Sequence, residues 1–463
     1  MQKYKTVLVL GCGRSGRAAE ALLRSEGTAT LSLDESTSDF SSFKAQVASF
    51  LPEAAVVSPG FALTHPWIKE LAERGIPMIS ELELGWSRRH CPVIAVTGSN
   101  GKSTVVKWIA EALAQAGQKA VPCGNYGFPV CAAVMLPEVP DWLVIEVSSF
   151  QLETVQEFRP DIGLLLNVLP NHLDRHGSMD AYRDIKLRLF ENMTGKDTAI
   201  LPIDLFPSIG KPTPACGHPS DGGDSIRVYS RPLPLTSFVA VASRQPLPSA
   251  VAVEFKTFGV EQGADFRYLD GRVGEINLNG TRFANEILGA AGAAVAAVCA
   301  ACGIPPSAVE ASARVFEPLP HRTALVAEID GVKYVDDSKA TNIAAMCAAV
   351  KMCSGKVHLI AGGRVKERDF SLAKDLLAQR VSHLYLIGEA SGMMQAAWGD
   401  AVRCMSCGTL EKAVEAAQKQ AMLGDTVLLS PACTSFDQFR DFNERGDCFA
   451  AAVRGLGGKD KGV

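Results

Sequence analysis

The chain has 463 residues, 47% of them hydrophobic, and a formal net charge of −4 at pH 7. At about 150 residues per domain this length predicts three domains, each with enough apolar content for its own core. The mild acidity and the lack of any Lys/Arg block exclude a basic field for nucleic acid, so the expected partners are small molecules.

At the N-terminus the only apolar run, Val7 to Leu10, stops at Gly11, which is too short for a signal peptide. Short apolar runs then alternate with helical stretches: Val7 to Leu10, Ala29 to Asp34, Ala54 to Ser58 and Pro77 to Ser80. That alternation predicts α/β structure with a parallel sheet. Gly11-Cys12-Gly13-Arg14-Ser15-Gly16 follows the first strand and Asp34 ends the second, a dinucleotide-type GxGxxG pattern. By itself it fits an NAD(P)-binding oxidoreductase or another phosphorylated ligand. His90-Cys91-Pro92 marks a boundary, which sets a first segment at 1–91.

The strand Val93 to Val96 runs into Thr97-Gly98-Ser99-Asn100-Gly101-Lys102-Ser103-Thr104, a glycine turn with a lysine and two hydroxyls opening a helix. Glycines let backbone N–H groups close on phosphate oxygens, the helix N-terminus adds positive charge, Lys102 reaches the β/γ-phosphates and Ser103 can hold Mg²⁺. Two residues separate the glycines where a common P-loop has four. The apolar strand upstream and the helical spacing of Val105, Ile109, Ala112, Leu113 and Ala116 downstream support the site, and an ATP- or GTP-using protein is expected.

Glu146 closes the strand Trp142 to Val147, where a carboxylate facing a phosphate loop can hold Mg²⁺; the plainer reading is a solvated strand end. A further strand is predicted from Asp161 to Val168. His172 taken alone reads as a surface histidine, and Lys186, on an amphipathic stretch, as a solvated lysine. Pro207 to Asp224 reads as an exposed excursion. Ile287 to Ile304 is an uncharged run, but its Ala and Gly content favours a buried, closely packed helix over a membrane span. It closes a central segment, 92–317. The thirteen cysteines suit reduced cytosolic thiols. The pairs Cys299/Cys302 and Cys404/Cys407 lie too far apart for a zinc ribbon.

The last segment, 318–463, has strands at Val332 to Val335, Val357 to Ala361, His383 to Ile387 and Thr426 to Leu429. Polar clusters follow three of them: Asp336 to Asn342, Gly362 to Lys366 and Ser430 to Ser435. In open α/β sheets ligands bind beyond the carboxyl ends of strands.

Together Gly98 to Thr104, Gly124-Asn125-Tyr126-Gly127, Glu146-Val147-Ser148-Ser149, Asn171-His172-Leu173-Asp174 with Lys186, and Leu319-Pro320-His321-Arg322 resemble the Mur ligases of peptidoglycan synthesis over essentially the whole chain. The resemblance implies three domains: a Rossmann-like N-terminal domain for the UDP-sugar, a central P-loop ATPase domain with a mostly parallel sheet, and a C-terminal Rossmann-like α/β domain for the amino acid. The GxGxxG first domain and the segments Asp337 to Asn342 and Ser430 to Phe439 imply the branch that adds D-glutamate to UDP-N-acetylmuramoyl-L-alanine. ATP would activate the carboxylate as an acyl phosphate, which the amino group then attacks.

On this resemblance Lys102, Glu146, His172 and Lys186 are catalytic. Gly98, Ser99, Asn100, Gly101, Lys102, Ser103, Thr104, Asn285, Arg322 and Asp337 bind ATP. Arg14, Ser15, Asp34, Gly60 and Asn125 hold the UDP-sugar, and Thr341, Lys366, Ser435 and Phe442 hold D-glutamate. Ser103 and Glu146 take one Mg²⁺; His172 and a carbamylated Lys186 take a second. The expected setting is a cytoplasmic monomer acting on small molecules, with no nucleic acid and no membrane span. The chain departs from the family pattern at Ser36, Tyr126, Ala284, Leu288 and Arg364-Val365. Alternatives are another Mur ligase, a folylpolyglutamate synthase-like ligase using a different amino acid, or, from another class, a nucleotide-binding regulator or the oxidoreductase.

Overall fold

The computed structural model describes residues 4–205, 225–226, 253–366 and 369–457. The excursion expected at Pro207 to Asp224 lies outside them. The fold is α/β, with three sheets that are mostly parallel.

The first ninety residues form a four-stranded sheet from β1 (Thr6–Leu10), β2 (Ala29–Leu33), β3 (Ala54–Val57) and β4 (Met78–Ser80), in the order β2-β1-β3-β4 with every pairing parallel. Helix α1 (Arg14–Ser25) follows the glycine loop. Gly16 is required there, because a Cβ would meet the Gly11 carbonyl at 1.8 Å. Helices α2 (Phe40–Phe50), α3 (Pro66–Glu73) and α4 (Glu81–Trp86) complete the Rossmann-like layer.

The central sheet has β5 (Val93–Thr97) at its heart, flanked by β7 (Trp142–Glu146) and β8 (Ile162–Leu165). Beyond these lie β6 (Ala120–Gly124) and β9 (Thr198–Pro202), all parallel. Beyond β9 the sheet continues through β11 (Val253–Gly259), β12 (Phe266–Leu269), β13 (Arg272–Val273) and β14 (Ile276–Asn277), with β10 (Ser225–Ile226) paired to β11. Helix α5 (Lys102–Gln115) buries Val105, Val106, Trp108, Ile109, Ala112 and Leu113, the stripe its 3.6-residue spacing predicts. In chain order α6 (Val130–Ala133) precedes β7, α7 (Ser149–Leu152) follows it, and α8 (Leu173–His176) and α9 (Met179–Leu187) follow β8.

The Ala-rich run forms α10 (Glu286–Ala301), followed by α11 (Pro306–Val315). It packs closely through small residues. A Cβ at Gly289 would meet the Tyr268 ring at 2.3 Å, and one at Gly292 would meet Leu278 at 2.8 Å. Among the described residues no helix is long and apolar enough to cross a membrane.

The C-terminal sheet comprises β15 (Ala324–Ile329), β16 (Val332–Asp336), β17 (Val357–Gly362), β18 (Val381–Ile387), β19 (Arg403–Gly408) and β20 (Thr426–Leu429). Its order is β15-β16-β20-β17-β18-β19, parallel except for the β15–β16 edge. Helices α12 (Ile343–Met352), α13 (Lys374–Arg380), α14 (Ser391–Trp398), α15 (Leu410–Gln420) and α16 (Phe442–Gly457) cover it. The chain forms two compact units, 1–168 with 180–315, and 169–179 with 316–463.

Several strands differ by a residue or two at an end from their sequence-based bounds, and one differs by more. The strand expected from Asp161 to Val168 runs from Ile162 to Leu165, and Asn167 beyond it turns its side chain onto the glycine loop after β5.

Candidate active site

In the first unit the sheet order brings the loops after β5, β7 and β8 side by side. Gly98 (φ +154°) and Gly101 (φ +84°) take backbone conformations that a side chain would strain, and a Cβ on Gly98 would sit 2.9 Å from Leu166. The Asn167 side chain braces the loop: its Oδ1 accepts from the N–H groups of Ser99 and Asn100, both at 3.0 Å, and its Nδ2 donates to the Asn100 carbonyl at 3.1 Å. Ser99 Oγ donates to the Tyr182 hydroxyl at 3.1 Å. Helix α5 then starts from Gly101 with no capping side chain, so its N-terminal end presents backbone and dipole to the loop.

Lys102 Nζ donates to the carbonyls of Gly98 at 2.8 Å and Ser99 at 3.0 Å. Ser103 Oγ donates to Glu146 Oε2 at 2.5 Å, and Glu146 Oε1 accepts from Asn125 Nδ2 at 2.7 Å. Glu146 is buried, which corrects the plainer reading of a solvated strand end. The register that pairs Val96 with Glu146 sets the carboxylate beside the loop. Asn125, which the resemblance gives to the UDP-sugar, has its side chain on this carboxylate.

Lys186 is 1% exposed, which overturns its reading as a solvated lysine. Its Nζ donates to the Gly98 carbonyl at 2.8 Å and lies 4.6 Å from the centre of the Tyr182 ring. Burial, and then the nearby Lys102 charge, hold the amine well below the usual lysine range. Asn285 caps α10, its Oδ1 accepting from Leu288 N–H and its Nδ2 donating to the Arg282 carbonyl, so the structure shows this side chain in a local role.

At the N-terminal sheet Arg14 and Ser15 open α1, and a Cβ on Gly127 would lie 4.0 Å from Arg14 Nη1. The guanidinium therefore borders the Gly124–Gly127 turn. Asp34 accepts from Cys12 N–H at 2.8 Å and from the Ser36 hydroxyl at 2.6 Å. The Ser36 bond first, and the Cys12 amide after it, hold its carboxyl below the usual range. Gly60 is exposed in the turn after β3.

In the second unit Lys366 Nζ donates to Asn171 Oδ1 at 2.9 Å and meets His172 Nε2 at 3.1 Å. Asp337, at the end of β16, accepts from Ser430 Oγ at 2.9 Å and from Thr323 N–H at 3.1 Å, which ties it to the backbone just after Arg322. Burial raises its carboxyl to about 7. Thr341, Lys366 and Ser435 stand on the loops after β16, β17 and β20, three neighbouring strands. Phe442 opens α16, with Lys339 Nζ 3.7 Å from its ring centre.

Sequence reasoning passed over Asn167 and Tyr182, and quoted Asn171 only within a motif, without a role. Asn167 follows its strand by two residues, the position where a polar side chain at a strand end signals a site; Tyr182 carries no local mark. Among the described residues no three His, Cys, Asp or Glu side chains converge to hold a metal, and the described cysteines, including Cys299/Cys302 and Cys404/Cys407, are free thiols. Ser103 with Glu146 is a hard-oxygen pair within one hydrogen bond, a donor set that fits Mg²⁺.

Residues 96–206 match the Mur ligase middle domain, and residues 321–433 match the Mur ligase, glutamate ligase domain. A UDP-N-acetylmuramoylalanine--D-glutamate ligase of Koribacter versatilis is 34% identical over 99% of both chains. One of Acidobacterium capsulatum is 35% identical over 97% of this chain and 96% of its own. Among solved structures, the UDP-N-acetylmuramate-alanine ligase MurC of Thermotoga maritima aligns with a TM-score of 0.57 at 12% identity, covering 98% of this chain and all of the other. MurF ligase of the same organism, in complex with ADP, aligns with a TM-score of 0.56 at 16% identity over 89% and 92%. These two show a shared fold, and the full-length relatives show the family: the chain belongs to the Mur ligases.

Proposed function

We propose that this protein joins D-glutamate to UDP-N-acetylmuramoyl-L-alanine at the expense of ATP, in the synthesis of a peptidoglycan precursor. The observation that carries the reading is the Ser103–Glu146 hydrogen bond beside the phosphate loop, in a chain whose relatives over their full length are named D-glutamate ligases.

A carboxylate does not react with an amine until its oxygen becomes a leaving group. ATP supplies that by transferring its γ-phosphoryl to the carboxylate, giving an acyl phosphate and ADP; the amine then forms the amide and phosphate departs. The protein contributes positioning and charge neutralisation. Lys102 and the α5 N-terminus, with the backbone of Gly98, Ser99, Asn100, Gly101 and Thr104, take the phosphates. Ser103 and Glu146 would hold Mg²⁺, which when bound neutralises phosphate charge; Asn125 keeps the carboxylate turned toward the loop. Arg322 and Asp337 serve the nucleotide, Asp337 at the ribose.

Lys186 supports a carbamate. Its buried amine is held toward the neutral form, and only a neutral amine adds CO₂, losing one proton to become a carboxylate-like group. The imidazole that the resemblance gives to a second ion, His172, has Lys366 at its Nε2 here. Arg14, Ser15, Asp34 and Gly60 face the UDP-sugar. Thr341, Lys366, Ser435 and Phe442 receive D-glutamate, Lys366 giving a carboxylate its cation. By the same reading, segments 1–91, 92–317 and 318–463 divide these tasks, and the protein works as a cytoplasmic monomer.

Incubation with ATP, Mg²⁺, UDP-N-acetylmuramoyl-L-alanine and D-glutamate should release phosphate above a control lacking either substrate. No release, or equal release with L-alanine or L-glutamate in place of D-glutamate, overturns the reading.

A further inference from the structure

The mechanism leaves one large buried cation unused. Arg445, on the first turn of α16, is fully buried, and among the described residues no carboxylate forms an ion pair with it. Its guanidinium instead gathers oxygen atoms from the chain. Nε donates to Ser338 Oγ at 3.0 Å, and Nη2 donates to the carbonyls of Ser338 at 2.8 Å and Cys433 at 3.1 Å. Nη1 lies 3.5 Å from the Gly362 carbonyl.

These acceptors belong to the three loops after β16, β20 and β17, strands that lie next to one another in the sheet. The same loops carry Thr341, Ser435 and Lys366. Ser338 Oγ also donates to the Phe442 carbonyl at 2.8 Å, so one hydroxyl links the guanidinium to the start of α16. The approach is close: Gly363 (φ +131°) has Arg445 Nη1 only 3.1 Å from where a Cβ would stand. Only a planar fork with several fixed donors can satisfy carbonyls and a hydroxyl from three loops at once. Lysine, a point charge, would hold one or two of them.

We propose that Arg445 is a positioning residue for the amino-acid substrate, fixing the three loops and the α16 start that present Thr341, Ser435, Lys366 and Phe442. The inference rests on the proposed D-glutamate ligase activity.

The test uses the full-length protein with Arg445→Met, Arg445→Lys and Ser338→Ala. Steady-state rates give KM for D-glutamate, ATP and the UDP-sugar separately, with thermal unfolding alongside. Arg445→Met should raise KM for D-glutamate by about tenfold or more while the other two KM values change by less than about threefold, because Thr341, Ser435 and Lys366 lose the tie between their loops whereas Asp337 keeps its own bonds from Ser430 and Thr323. Arg445→Lys should recover part of the loss. Ser338→Ala, which removes only the shared hydroxyl, should shift D-glutamate KM in the same direction by about threefold, and it decides the matter where Arg445→Met does not fold. Unchanged D-glutamate KM in folded Arg445→Met or in Ser338→Ala, or an equal rise for all three substrates, overturns the proposal. Failure of the unsubstituted protein to use D-glutamate would instead overturn the functional reading.

Discussion

Lys102 and Lys186 aim their amines at the same oxygen, each donating to the Gly98 carbonyl at 2.8 Å. Burial first, and the nearby charge of Lys102 after it, hold the Lys186 amine well below the usual lysine range, so the two lysines are proposed to do different work, Lys102 at the phosphates and Lys186 as a carbamate. Lys102→Ala should therefore lower phosphate release by about a hundredfold or more, with no rescue by small acids. Lys186→Ala should be equally impaired but regain part of its rate when acetate or formate is added, since a small carboxylate can replace a carbamate. Absence of rescue across a concentration series would count against carbamylation.

The bond from Asn125 to Glu146 makes the asparagine a support for the carboxylate proposed to hold Mg²⁺. Asn125→Ala should raise the Mg²⁺ concentration for half-maximal activity by about 10–100-fold. A Mg²⁺ titration at saturating substrates reads this directly. If KM for the UDP-sugar rises while the Mg²⁺ requirement stays fixed, Asn125 serves the sugar and not the carboxylate.

Glu81 on α4 is 3% exposed and accepts from the Cys131 N–H at 2.6 Å, which joins the N-terminal layer to the central one. Burial outweighs that bond and lifts its carboxyl from 4.5 to about 7. The folded protein thus binds more protons than the unfolded chain between these values, and stability falls as pH rises through that window, by at most about 3 kcal/mol from this group. Glu81→Gln keeps an acceptor and removes the charge. Its melting temperature should drop less than that of the unsubstituted protein between pH 5 and about pH 7.5; parallel curves would refute the assignment.

Gly446 lies under the pair formed by His321 Nδ1 and Asp336 Oδ2, 2.7 Å apart. A Cβ at Gly446 would stand 2.0 Å from the imidazole and 2.7 Å from the carboxylate. Gly446→Ala should destabilise by about 1–3 kcal/mol despite the better helix propensity of alanine, because overpacking outweighs the backbone term. Denaturant unfolding measures it, and a stabilised variant would show that His321 yields without cost.

The amino-acid sequence alone determined the α/β class, the phosphate loop and the carboxylate at the end of its neighbouring strand. Those signals are local: two-residue alternation, helical spacing, glycines where φ must be positive, and a lysine at a helix start. It could not decide the state of Lys186, since an amphipathic stretch looks the same whether its lysine meets water or, as here, a carbonyl far away in the chain. Asn167 and Arg445 were equally hidden, each a single polar residue whose partners on other loops are assembled by strand order. Spacing along the chain names the groups that can do chemistry; packing alone sets which are dry, which are charged and which hold the others in place.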